Sequence, residues 1–216
     1  MKVRLMASEA GVTLVEATIM LAVAAIIAAA AAPVTSRAID RTRLSRAQTD
    51  TLAIATGINN FIAEFTAFSP FTTTGLSTGT TIGMLVGDGD IPSTVGAGGS
   101  ASWTSPVNVA AVPPVDFLER HLNTNTPGGT GAYTTAGTAP WRGAYLNGPV
   151  DPDPWGNRYA INVLYLRTAP TSNDVIVLSS GPDEEVNTPF TVDGIVPGSD
   201  DIFAIVRRDL GRTVPQ

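Results

Sequence analysis

An apolar run from Val12 to Ala32 that carries one charge, Glu16, constrains this chain more than any other feature of its sequence. About 20 apolar residues in a helix are enough to cross the hydrocarbon core of a bilayer. The segment before the run, MKVRLMASEA, is short and basic at Lys2 and Arg4. A charge at the bilayer centre costs about 2.5–3.5 kcal/mol on insertion scales, so an acid inside such a run marks a functional position. We therefore expect Glu16 to have a specific role.

The N-terminal segment is compatible with three interpretations. It is a plain signal anchor, or a secretory signal peptide cut within AAAAAP ahead of Pro33. The third is cleavage after Gly11, which leaves the apolar helix on the product with a new amine at Val12. An α-amine has a pKa of about 8 and is largely cationic at neutral pH, so Glu16 would compensate it in its own chain or in a neighbour's. Alternatively, Glu16 lies at headgroup level and interacts with the dipole of the helix N-terminus.

Charge and composition narrow the classes of function. The net charge is −6 and the pI is about 4.6, whereas binding to phosphate backbones requires clustered Lys and Arg. Cysteine is absent and histidine occurs once, which leaves no thiol nucleophile and no transition-metal site of the usual kind. Neither a Gly-x-Ser-x-Gly motif nor a P-loop is present. We therefore expect neither an enzyme nor a nucleic-acid-binding protein, with an anchored hydrolase using the C-terminal acids as the enzyme alternative.

Helical periodicity continues beyond Pro33. An apolar stripe with spacing i, i+4, i+7, i+8 and i+11 predicts an amphipathic helix with one face on a folded body. The residues of this stripe are Ile54, Ile58, Phe61, Ile62 and Phe65. Together with the apolar run it predicts one helix over 12–68, of which 12–32 crosses the membrane. A proline inside a helix removes one backbone hydrogen bond, so Pro33 should bend this helix.

The C-terminal third predicts an antiparallel sheet of about three strands. RYAINVLYL, DVIVLSS and DIFAIVRR are rich in β-branched and aromatic residues and are separated by turn-like segments. Residues 69–140 are rich in Gly, Ser and Thr and predict a loop-rich insertion. Inside it, PPVDFLERHLN has apolar residues at helical spacing after a proline pair, which predicts a short helix. His121 is expected on the surface of that helix, because no second His or Cys exists to complete a metal site.

Two segments carry a resemblance to a known family. GVTLVEATIMLAVAAIIAAAAAP resembles the signal of type IV pilins and type II secretion pseudopilins, in which a basic leader ends in Gly and Glu stands fifth after it. Gly11 and Val12 match the cleavage junction, although Val12 replaces the usual Phe or Met, and Glu16 matches the family's glutamate. PWRGAYLNGPVDPDPWGNRY resembles a stretch of the major pseudopilin that contains Asp-Pro-Trp-Gly-Asn-Pro-Tyr. Here Arg158 stands in place of its second proline.

The resemblance implies a pilin-like α+β fold with a leader peptide over 1–11, a long helix over 12–68 and a periplasmic head over 69–216. It implies that prepilin peptidase cleaves after Gly11 and methylates Val12. The implied function is a structural subunit that polymerises through its N-terminal helix into a pseudopilus and drives protein export. The first alternative is a type IV pilin of a surface fibre used for adhesion, motility or DNA uptake. The second is a membrane-anchored binding or adhesive module.

The resemblance also implies partners and a location. The partners are copies of the same chain, minor pseudopilins, prepilin peptidase and an inner-membrane assembly platform driven by a cytoplasmic ATPase. The location is the bacterial inner membrane, with a single span, the head in the periplasm and the filament in the periplasm or at the cell surface. Four arginines follow the span, and the positive-inside rule by itself would place them in the cytoplasm. They are Arg37, Arg41, Arg43 and Arg46.

A calcium site is predicted in the segment SSGPDEEVNTPFTVDGIVPGSDDIF. Calcium takes six to eight oxygen ligands, and a loop rich in Gly, Pro and acids can bring them together. The segment resembles the calcium loop of the major pseudopilin, in which a Gly-x-Asp near the start and an Asp before a later Ile converge. Asp183 and Asp201 match these positions, and Asp200 and Asp193 are further acids of the loop. The alternative is that these acids only form turns.

Overall fold

The computed structural model describes residues 12–64, 71–75, 79–94, 103, 115–138, 140–166, 174–190 and 200–207. In these residues the chain has an α+β fold, with one long N-terminal helix and a five-stranded mixed sheet. The chain divides into two compact units, Met1–Thr42 and Arg43–Gln216.

Helix α1 runs from Leu14 to Glu64, which is 51 residues. It begins two residues after the predicted start, and the predicted end at 68 lies outside the described residues. Pro33 lies inside the helix. Because proline has no amide hydrogen, the carbonyl of Ala29 loses its usual i+4 donor there.

The part of α1 in the first unit is apolar and exposed. An 18-residue window of the helix has a mean hydropathy of 2.3, and none of that window is buried. By length and composition this segment can cross a membrane. Its exposed large apolar residues, with Val12 just before the helix, are Val12, Leu14, Val15, Ile19, Met20, Leu21, Val23, Ile26, Ile27, Val34 and Ile39.

The part of α1 in the second unit has the predicted amphipathic face. Ile54, Ile58 and Phe61 are buried, and Ile62 packs against the same core while partly exposed. These residues confirm the predicted stripe, and its fifth member, Phe65, lies outside the described residues. The buried stripe packs on the sheet of this unit, so helix and sheet share one core.

The sheet has more strands than predicted. The strands in chain order are β1 Met84–Val86, β2 Ser93–Thr94, β3 Val115–Phe117, β4 Ala160–Ile161, β5 Val175–Ser179, β6 Glu185–Val186 and β7 Ile202–Arg207. The five-stranded sheet has the order β3-β1-β4-β5-β7, and β2 pairs with β6 separately. β3 and β1 are parallel, and the other neighbours in the large sheet are antiparallel. The predicted antiparallel sheet of about three strands is therefore wrong in count and in one pairing.

Both faces of the interior strand β5 are buried. Val175 and Val177 pack on the side of α1, whereas Ile176 and Leu178 pack in a second cluster with Trp103 on the opposite face. This alternation is the period of two that a strand imposes on its side chains. A continuous apolar run such as VIVL is therefore the expected sequence for a strand covered on both sides.

The three segments predicted as strands contain β4, β5 and β7. Only Ala160–Ile161 of RYAINVLYL is a strand, and a 3₁₀ turn follows at Val163–Leu166. The predicted short helix is α2, Leu118–Leu122. Strands β1 and β3 lie within 69–140, where the composition had predicted loops. Strands of three residues are too short to show an alternating pattern against Gly, Ser and Thr.

Candidate functional site

Glu16 lies in the first turn of α1. The Thr13 hydroxyl accepts a hydrogen bond from the Glu16 backbone N–H at 3.2 Å, and the Thr13 carbonyl accepts one from Ala17 at 3.0 Å. Thr13 is therefore the N-cap, and the sequence TLVE has the Thr-x-x-Glu spacing of a capping box. The predicted cleavage residue Gly11 lies outside the described residues, and Val12 is exposed.

The Glu16 side chain is available to a partner outside its own helix. The side chain is exposed, and Glu16 belongs to none of the ion pairs formed by the described residues. An acid in the first turn interacts favourably with the helix dipole. This interaction is local and modest, typically about 0.3–1 kcal/mol. It leaves the carboxylate oxygens free to meet a cation from another molecule.

Two of the acids predicted to bind calcium come together in the structure. The Asp183 and Asp200 carboxyl groups are neighbours, and partial burial, followed by the Asp183 charge, raises the pKa of Asp200. Gly181 has a φ of 72° and lies close to the segment that carries Asp200. A Cβ at Gly181 would lie 2.5 Å from the Asp200 carbonyl oxygen. The hydroxyl of Ser180 is buried beside this turn without a hydrogen-bond partner.

Asp201 points its Oδ2 into a different set of contacts. This oxygen accepts hydrogen bonds from the backbone of Asn187 at 3.0 Å and of Thr188 at 2.6 Å, and from the Thr188 hydroxyl at 2.5 Å. Asp193 lies outside the described residues. Within the described part of the chain, no group of three or more His, Cys, Asp or Glu side chains is placed to hold a metal ion. The acids there offer a pair of carboxylates and no larger set.

The DPWGN segment is a turn organised by one buried carboxylate. Asp153 Oδ1 accepts backbone hydrogen bonds from Trp155 at 3.0 Å and from Asn157 at 2.9 Å. Its Oδ2 accepts the hydroxyl hydrogen of Ser179 at 2.6 Å, which ties the turn to β5. Since all these bonds are internal, the arrangement supports a structural role for this segment.

The same turn is attached to α1 within the second unit. Arg46 donates to the Pro152 carbonyl at 3.2 Å and pairs with Asp50 at 3.4 Å. The Tyr159 hydroxyl donates to Asp50 at 3.1 Å. The carboxylate of Asp50 therefore joins the helix to the segment that follows the turn.

A buried Asp-His-Tyr cluster is the main polar feature that the sequence did not predict. His121 was expected on the surface, but it is fully buried, so that expectation is wrong. Its Nε2 lies 2.9 Å from Asp116 Oδ2, and its Nδ1 lies 2.6 Å from the Tyr133 hydroxyl. Asp116 also accepts from Arg120 at 2.8 Å and from the backbone of Gly128 at 2.6 Å. The acid five residues before the histidine was the available signal, but Tyr133 reaches the cluster only through the fold.

Hydrogen bonding defines the protonation state of this cluster. Burial alone raises the pKa of Asp116, but hydrogen bonds from His121 and from two backbone amides hold it well below its usual range. The ionised carboxylate can only accept, so His121 Nε2 carries a proton. Burial lowers the pKa of His121, and its neutral ring then accepts the Tyr133 hydroxyl hydrogen at Nδ1.

This cluster is shielded from solvent. His121 is 0% exposed, Tyr133 is 4% and Asp116 is 5%. A substrate has no access to the imidazole or the phenol. The hydrogen bonds of Asp116, His121 and Tyr133 therefore hold the surrounding elements together. They join β3, α2 and the loop that carries Tyr133 into one hydrogen-bonded unit.

Comparisons with known proteins returned no match. No protein-family model, no curated protein and no solved structure matches this chain.

We predict that the free energy of unfolding decreases as the pH falls below about 6.5. The unfolded chain has His121 at its ordinary pKa of 6.5, whereas burial lowers the pKa in the folded state, so the unfolded state binds the proton first. This contribution is complete above pH 6.5 and is lost below it. Urea unfolding of the full-length protein in detergent at about pH 5.5 and about pH 7.5 measures the difference.

The His121→Gln variant is the matched control. It should be less stable by about 1–3 kcal/mol at the higher pH, because Asp116 and Tyr133 lose a buried partner. It should also lack the loss of stability below pH 6.5, since glutamine does not titrate. The loss of stability that comes from Asp116 begins only below pH 3.8, which is the pKa of this group in the unfolded chain. It is therefore separate from the loss that comes from His121. The same pH dependence in His121→Gln as in the wild type would assign the effect to other groups.

Proposed function

We propose that this chain is a structural subunit of a pilin-like filament of the type II secretion kind, which assembles through its N-terminal helix and drives protein export. The observation that carries the proposal is an exposed apolar helix segment with one acid, Glu16, in its first turn. The family resemblance at Gly11, Val12 and Glu16 and in the DPWGN segment supports the same function.

The exposed apolar surface requires a cover. Burying apolar surface is worth about 25 cal/mol per Å², so a helix with this surface is unstable in water. Lipid covers the segment while the subunit is in the membrane. After assembly, the equivalent segments of neighbouring copies cover it. A helix that is apolar on all sides suits both environments.

Glu16 distinguishes a filament subunit from a simple anchor. An anchor is more stable without a charge, whereas packed helices can use one to fix their axial register. Cleavage after Gly11 would create a cation at Val12 in each copy, and the exposed Glu16 carboxylate can pair with the amine of a neighbour. A copy in the wrong register would bury Glu16 without a partner, at a cost of several kcal/mol.

The proposed assembly has further partners. Prepilin peptidase processes the chain, and an inner-membrane platform adds subunits to the filament. Minor pseudopilins are further subunits of the same filament. The span lies in the bacterial inner membrane with the head in the periplasm. Arg37, Arg41 and Arg43 are exposed next to the apolar segment, so this orientation rests on the family resemblance and not on the positive-inside rule.

A type IV pilin of a surface fibre is the alternative function. It uses the same N-terminal helix and the same glutamate, so the first unit does not separate the two. The resemblance of the DPWGN segment to the major pseudopilin, and the absence of a C-terminal Cys pair, favour the secretion filament. Finding the fibre outside the outer membrane, by immunogold labelling of cells, would favour the alternative.

We also propose that calcium bridges Asp183 and Asp200. The negative charge of Asp183 raises the pKa of the neighbouring Asp200, and a divalent cation between two such carboxylates removes their mutual repulsion. The buried hydroxyl of Ser180 is a further oxygen of this turn. Asp201 does not join through Oδ2, since that oxygen already binds Asn187 and Thr188.

We predict that the processed protein begins at Val12. Cleavage after Gly11 leaves the apolar helix on the product, as assembly through that helix requires. Mass spectrometry of the membrane-extracted protein should find a Val12 terminus, with or without a methyl group. A product that begins at Pro33 has lost the helix and contradicts the filament function, and an unprocessed chain favours a plain anchor.

We predict that Glu16→Ala inserts into the membrane but forms filaments at least about tenfold less efficiently, because the amine of a neighbouring Val12 loses its buried partner. Electron microscopy and a sedimentation assay measure filament yield. Thr13→Ala is the matched control, because it removes the helix cap at a cost of about 0.5–2 kcal/mol and keeps the acid. Equal loss in both variants would assign Glu16 to helix capping, and normal filaments from Glu16→Ala would leave it without a role in assembly.

We predict that calcium raises the melting temperature of the full-length protein in detergent by several degrees relative to chelator, since a ligand that binds only the folded state stabilises it by mass action. The double variant Asp183→Asn, Asp200→Asn should lose this rise. Asp88→Asn, in an exposed loop, should keep it. Superimposable wild-type melting curves with calcium and with chelator would leave both aspartates as turn residues.

A further inference from the structure

Arg158 is a buried arginine with an incomplete set of partners. Arg158 directly follows the DPWGN turn and is only 8% exposed. Its backbone N–H donates to the Asp90 carbonyl at 2.9 Å, which holds the backbone at this residue. Its guanidinium donates once, from Nη2 to the Trp103 carbonyl at 3.3 Å. Nε is buried and has no hydrogen-bond partner.

In the part of the chain that the structure describes, no acid forms an ion pair with this guanidinium. The ion pairs among the described residues involve Arg46, Arg120 and His121, and none involves Arg158. Burial lowers the pKa of the Arg158 guanidinium, but arginine stays protonated in proteins. A buried cation without a counter-charge is strongly unfavourable.

Trp103, whose carbonyl accepts from Arg158, has partners of its own. Trp103 uses its indole N–H to donate to the Thr188 carbonyl at 2.8 Å, and its ring packs against Phe190. Trp103 belongs to the apolar cluster on the sheet face opposite α1. The described residues offer the guanidinium one carbonyl acceptor, in a buried position next to the apolar cluster of Trp103. Electrostatic attraction to an anion is strengthened in such an environment.

We propose that Arg158 forms a binding site for a small exchangeable oxyanion, a carboxylate or a phosphate. The planar guanidinium presents parallel N–H groups that match two oxygens of such an anion, and Nε is one of the donors still available. The anion supplies the missing negative charge and accepts the unused hydrogens. This site does not depend on the proposed filament function, because it lies in the second unit and uses neither Glu16 nor the apolar helix.

The turn itself does not require the side chain of Arg158. The arginine therefore adds a charge to a turn whose backbone is already held by Asp153. A residue needed only to complete the turn would not require a guanidinium.

The experiment compares melting curves of the full-length protein in detergent with sodium acetate, sodium phosphate or sodium chloride at matched ionic strength. For the wild type, each tenfold increase of acetate or phosphate above its dissociation constant should raise the melting temperature by about 3–5 °C over chloride. Arg158→Met removes the charge, keeps the length of the side chain and should show no such rise. In chloride this variant should melt at or above the wild type, because it no longer buries an uncompensated charge.

Arg142→Met is the matched control, since Arg142 is exposed and outside the turn. It should keep the full response to acetate or phosphate. The proposal is overturned if the wild type responds to neither anion, or if Arg158→Met lowers the melting temperature equally in all three salts. Either result would mean that water or the chain itself satisfies the guanidinium. A response shared by Arg158→Met would place the anion elsewhere.

Discussion

The exposed apolar surface of the first part of α1 is the constraint on which the proposed function depends. No other part of the described chain covers its large apolar side chains, from Leu14 to Ile39. Lipid or other molecules must therefore cover them. Lipid and neighbouring helices accept an apolar side chain equally well. A neighbouring helix, unlike lipid, can place the amine of a second copy opposite Glu16 at a fixed height. The acid, and not the apolar run, therefore separates a filament subunit from an anchor.

The second unit combines short strands with buried polar groups that hold its loops. Asp116, Asp153 and Asp201 are each at least nine-tenths buried, and each accepts backbone N–H groups from a neighbouring loop. A buried carboxylate must be hydrogen-bonded, so each acid stabilises one loop conformation. This explains how a chain rich in Gly, Ser, Thr and Pro keeps a defined core around two- to six-residue strands.

Arg158 differs from these three acids because its donors outnumber its partners. A loop acid meets the backbone N–H groups that a tight turn leaves free, whereas a buried guanidinium needs several acceptors at once. The Trp103 carbonyl supplies one of them. Among the described arginines with a buried, unpartnered donor, Arg158 carries a full positive charge, which is why we propose a ligand there.

The sequence by itself determined the features that depend on local pattern. The apolar run, the acid Glu16, the α1 stripe at Ile54 and Ile58, and the strand β5 all follow from spacing and composition. The Asp183 and Asp200 contact, strands β1 and β3, and the burial of His121 depend on segments far apart in the chain. Three-residue strands carry no period of their own, and only the folded chain brings its sole histidine between an acid and a phenol. Tertiary structure decided these features because their partners are chosen by packing and not by neighbouring sequence.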